Sequence, residues 1–89
     1  MPNDETHSAA ADIARARLFI ADGTARRIRL SARLSVGDIA RAGGWSESTV
    51  HRWESGERAP RSEAALRYLE ILRSLTELLE ARDLEGAEL

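Results

Sequence analysis

Apolar positions along this chain recur at helical spacing, and nowhere do they alternate as they would in a half-buried strand. Residues 1–7 show no periodicity and read as a flexible arm. Ser8 is a candidate cap for a first helix to about Ala21, with Ile13, Ala16, Phe19 and Ile20 on one side. Asp22-Gly23 breaks it, and Asp22 is placed to cap a second helix, Thr24 to about Ala32. There Ala25, Ile28 and Ala32 form the inner face, while Arg26, Arg27, Arg29 and Arg33 point elsewhere. Ser35, with Asp38 three residues on, resembles a capping box and predicts a short helix from Val36 to about Ala42, stopped by Gly43-Gly44. Ser46 caps another, Glu47 to Glu54, ended by Ser55-Gly56. A loop over 57–61 is held by Pro60, and Ser62 opens a last helix to about Arg82, leaving 83–89 as a flexible acidic tail. Five helices and no credible strand predict an all-α fold, a single helical domain over residues 8–82.

Two short helices around a glycine turn, residues 36–55, form the most informative constellation. Steeply crossing helices need a small side chain at closest approach, and Ala40 supplies it. The turn needs a residue comfortable at positive φ, and Gly44 supplies that. Ile39, Val50 and Trp53 then form the inner faces that lock the pair. Projected at about 100° per residue, Ser48, His51, Arg52 and Ser55 face outward with Glu47 at the edge. That outer face is placed to enter a major groove.

The net charge of −2 argues against a nucleic-acid partner until the chain is divided. Residues 13–61 hold ten Arg against five acidic residues, whereas 62–89 hold three Arg against seven. Charge on the contact face decides phosphate binding, not the total. All thirteen basic residues are Arg, the side chain suited to bidentate contact with phosphate and guanine.

The run LSVGDIARAGGWSESTVHRWESGERAPRSEAAL, residues 34–66, resembles the Xre/Cro–C1 (lambda repressor-like) helix-turn-helix family, and the likeness extends over residues 24–72. The resemblance implies a five-helix domain from a bacterial or phage regulator of transcription, usually a repressor that binds palindromic double-stranded DNA as a dimer. It places Glu47, Ser48 and Arg52 at base-reading positions, with His51 on the same face. Arg52 is the foremost of them, as a bidentate guanine reader. It places Thr49 near the backbone and Arg58 and Arg61 on phosphates, with Arg33 and Arg41 as further phosphate candidates. Two departures stand out. Gly43 replaces a sizeable apolar residue and Trp45 a smaller one, which together read as an exchange of volume. Val36 replaces a phosphate-bonding Gln.

Other chemistry finds no support in the residues. The two histidines have no metal-ligand spacing, there is no cysteine, and neither a phosphate-cradling glycine loop nor a nucleophile elbow occurs. The expectation is a non-enzyme without metal or cofactor. The acidic, polar start is unlike a secretory signal and no apolar run is long enough to span a bilayer, so a cytoplasmic location is expected. Glu63 and Arg67 read as a surface pair one helical turn apart.

The last helix carries two apolar stripes. One is Ala65, Leu69, Leu72 and Leu79; the other, Tyr68, Ile71, Leu75 and Leu78, has the spacing of a helix-pair seam. The second is expected to form a homodimer interface, the competing arrangement being cover by the N-terminal helix of the same chain. Two other functions fit these residues. One is an antitoxin that binds DNA and presents its acidic tail to a toxin. The other is a protein–protein adaptor on the same fold, against which the arginine excess of residues 13–61 argues.

Overall fold

The computed structural model describes the backbone of residues 4–88 and the side chains of residues 8–86. Among the described residues there are five helices and no strand: α1 Asp4–Ala21, α2 Thr24–Ser31, α3 Val36–Gly43, α4 Glu47–Glu54 and α5 Ser62–Glu88. The all-α expectation holds, and two ends move. Helix α1 starts at Asp4 rather than after Ser8, since no glycine or proline between them interrupts it. Helix α5 runs to Glu88, past the expected end near Arg82. Residues 77–85 are rich in Leu, Glu, Ala and Arg, all good helix formers, and no proline follows.

Short-range chemistry sets the connections. Ser35 Oγ accepts the Asp38 N–H at 3.0 Å while the Asp38 carboxylate accepts the Ser35 N–H at 2.8 Å, a reciprocal cap on α3. These bonds, with Arg41 beyond them, hold the Asp38 carboxyl below its ordinary pKa. Gly44 closes α3 at φ 79, and the Trp45 N–H returns to the Ala40 carbonyl at 2.8 Å. Ser46 caps α4 through the Thr49 N–H. Asp22 acts one residue outside α2, where Gly23 sits at φ 86, and still accepts the Thr24 N–H at 2.9 Å. Arg33 takes the left-handed position after α2, at φ 59, where glycine is the usual residue.

The core lies where α5 crosses the other helices. Ile39 and Ala40 from α3, Val50 and Trp53 from α4, Ala25 from α2 and Ile20 from α1 close on Tyr68 and Leu72 of α5. A second cluster joins Ala16 of α1 to Ala65 and Leu69. Both stripes of α5 therefore meet partners inside the chain. Tyr68, expected at a dimer interface, is fully buried, and Ile71 and Leu75 pack partly against the core. The seam spacing is the same for a core-facing helix as for a helix pair, and here the rest of the chain covers the upper part of the stripe. Only Leu78, 61% exposed, remains open.

Arg29 is a second correction. It is not turned outward but is 7% exposed in the interior of α2. Its Nε and one amino group donate to the two oxygens of Glu54 at 2.7 and 2.8 Å, and the other amino group donates to the Leu34 carbonyl at 2.9 Å. The Glu54 bonds raise the guanidinium pKa despite burial. The pair ties the end of α4 to α2 and to the chain entering α3.

Candidate nucleic-acid interface

Helices α3 and α4 cross at the Gly44 turn, and the aromatic residues behind it fix that crossing. Trp45 and Trp53 meet edge to face with centroids 4.9 Å apart, and Trp45 stacks on Tyr68 at 5.7 Å. A Cβ at Gly43 would overlap the Trp45 indole, which bears out the exchange of volume between these positions. Both tryptophans are thus engaged in packing. From α5, Arg67 donates to the Gly43 carbonyl at 2.9 Å and clamps the turn; that bond, rather than Glu63, holds it.

With its inner side fixed by Val50 and Trp53, α4 presents Glu47, Ser48, His51 and Arg52 to solvent. Thr49 is half-buried and its hydroxyl lies 2.8 Å from Ser46 Oγ. Ser48 Oγ is 3.3 Å from the same oxygen. Arg52 borders a depression of about 240 Å³ shared with Thr49, Arg58 and Arg61. The loop carrying the last two is pinned to α4 by the Arg58 N–H on the Arg52 carbonyl, 3.2 Å. Among the described residues none of these three arginines pairs with a carboxylate. The result is a cationic hollow beside an exposed helix.

The remaining candidates separate. Arg41 is exposed but held by Asp38 at 2.7 Å. Glu47 folds back on α3: a Cβ at Gly37 would stand 2.6 Å from its Oε1, with the Arg41 guanidinium alongside. The first turn of α3 is therefore flanked by the carboxylates of Asp38 and Glu47. Arg33 lies on another surface, in a groove with Leu78, Leu79, Arg82 and Glu85. Ile71 and Leu75, nearer the start of α5, are half-buried against the core.

Sequence reasoning missed the pairing of Arg29 with Glu54, the approach of Glu47 to Gly37, and the bond from Arg67 to the turn. It also missed Arg17 of α1 on the Pro60 carbonyl at 3.0 Å. One signal was present for the first, since Arg29 follows Ala25 by one turn and so shares its inward face. Nothing local signals the others.

Among the described residues, no group of His, Asp or Glu is arranged to hold a metal and no helix is long and apolar enough to cross a membrane. Two short helices locked at a glycine turn, the second exposed beside arginines without a carboxylate partner among the described residues, define a helix-turn-helix domain. A family model described as a helix-turn-helix domain matches residues 23–82, and the chain belongs to that family. No curated protein and no solved structure matches the chain. The matched region begins at the α1–α2 junction, so α1 precedes it.

Proposed function

We propose that this protein is a sequence-specific regulator of transcription of the Xre/Cro–C1 type, a repressor that binds double-stranded DNA with α4 in the major groove. One observation carries the reading: Arg52 stands on the exposed side of α4, beside Arg58 and Arg61 and free of any acidic partner among the described residues. Arg52 reads guanine through its two-pronged donor set, with Ser48 and His51 on the same face. Thr49, Arg58 and Arg61 hold phosphates. Glu47 acts from the edge, and Arg41 is a secondary phosphate contact drawn on when Asp38 releases it.

The protein binds as a homodimer through the surface around Leu78, which is 61% exposed. This replaces the longer stripe, because Tyr68 is buried in the core; Ile71 and Leu75 contribute only their outer edges. The groove beside Leu78 carries Arg33 and Arg82 together with Glu85, both signs on one patch. A two-fold interface needs such self-complementarity. Light scattering at micromolar concentration gives twice the chain mass on this reading, and a monomer there removes the dimer.

Sequencing of genomic fragments bound by the protein tests the function. A recurring site with two-fold symmetry is expected. Fragments without any shared sequence would overturn sequence-specific regulation.

A further inference from the structure

Helix α1 precedes the residues that the family match covers, yet it reaches the cationic loop after α4. Arg17 is exposed on α1, and its Nε donates to the carbonyl of the fully buried Pro60 at 3.0 Å. A guanidinium carries five N–H donors in a fixed fork. Orienting it through Nε leaves the two terminal amino groups, which have no partner among the described residues. A depression of about 110 Å³ is lined by Arg17 and Arg58 together with Ile20, Trp53, Gly56 and Pro60. Arg58 and Ala59 also line the larger hollow that holds Arg52 and Arg61. Four guanidiniums therefore surround one loop, and none pairs with a carboxylate among the described residues. Guanidiniums gathered on one surface with no ion pair among them, although Glu57 lies in the same loop, present a positive surface that suits a polyanion.

We propose that Arg17 extends the DNA interface onto α1, binding a backbone phosphate adjacent to the one held by Arg58 and Arg61. The proposal rests on the DNA-binding reading above. Arg17 contributes affinity without sequence information, because phosphates are alike at every base pair.

The test is binding to a short labelled duplex of mixed sequence across a range of salt concentrations. Removing one phosphate-binding cation lowers the slope of log affinity against log salt by about 1. Arg17→Gln and Arg58→Gln are each expected to lower the slope by that amount, while Arg17→Lys keeps it and Arg17→Glu weakens binding further. Melting curves of the variants establish that each is folded. If Arg58→Gln lowers the slope and both Arg17→Gln and Arg17→Glu leave it at the wild-type value, Arg17 only props the loop and the proposal falls. A wild-type chain with no salt-dependent binding would instead overturn the DNA-binding reading, and this extension with it.

Discussion

Replacing Glu54 with alanine removes both oxygens that receive the Arg29 guanidinium, at 2.7 and 2.8 Å. Each side chain of the pair is 8% exposed, so water cannot readily replace the missing carboxylate. Breaking a buried pair by removing one partner costs about 3–5 kcal/mol, because a charge remains buried without compensation. The Leu34 carbonyl still accepts one Arg29 amino group at 2.9 Å, which places the expected loss near about 3 kcal/mol. A domain of this size has a total stability of roughly 5–13 kcal/mol. At about 4–8 °C per kcal/mol, the melting temperature should fall by at least about 12 °C. Arg29→Met should cost a similar amount, since it strands the carboxylate. The double variant Arg29→Met/Glu54→Leu removes both charges and should lose far less than the two singles together, giving a coupling of about 2 kcal/mol or more. Urea denaturation followed by circular dichroism and tryptophan fluorescence reads all four proteins. Single losses that add within about 0.5 kcal/mol, or a Glu54→Ala loss below about 1 kcal/mol as in an exposed pair, would refute the account of this lock.

Three further outcomes are expected. Gly43→Ala should cost about 1–3 kcal/mol by forcing a methyl group into the Trp45 ring, and Trp45→Val in the same chain should recover much of it, read by denaturant midpoint. Burial, then the nearby Glu54 charge, pushes the Tyr68 pKa up from 10.0 to about 12, and its hydroxyl has no hydrogen-bond partner among the described residues. A raised pKa in the folded state means that stability is complete below pH 10 and declines from pH 10 to about 12; Tyr68→Phe should abolish that decline without loss at neutral pH, in a chain with no Lys or Cys to titrate there. Gly37→Ala should stabilise α3 by about 0.5–1 kcal/mol. It should also lower DNA affinity by turning the Glu47 carboxylate outward toward phosphate, a fall that Glu47→Ala removes.

What the sequence made legible is the local grammar of the motif. Ser35 with Asp38, Gly44 and Ser46 set the bounds of α3 and α4 through contacts a few residues apart, which spacing alone exposes. The exchange between Gly43 and Trp45 is legible only against the family resemblance, as two neighbouring departures from its pattern. Arg29 was misplaced because polarity outweighed its position on the inner face, and its partner lies 25 residues away. Tyr68 was assigned to a partner surface because an apolar stripe has one period whether it meets a second chain or its own core. Tertiary packing decided that question here. The link from Arg17 to Pro60 spans 43 residues and leaves no trace in local pattern. Glu47 folds toward α3 because Gly37 lacks a side chain there, a close approach that no periodicity encodes.

The most direct test of base reading by α4 is the affinity ratio between the recovered DNA site and a scrambled duplex of equal length, measured at fixed physiological salt for the wild-type chain and for Arg52→Ala. A ratio of at least about 10³ is expected for wild type. Arg52→Ala should lose about 1–3 kcal/mol of discrimination per half-site, concentrated at one base pair. A wild-type ratio near unity, or a ratio unchanged by Arg52→Ala, would contradict base reading by this helix.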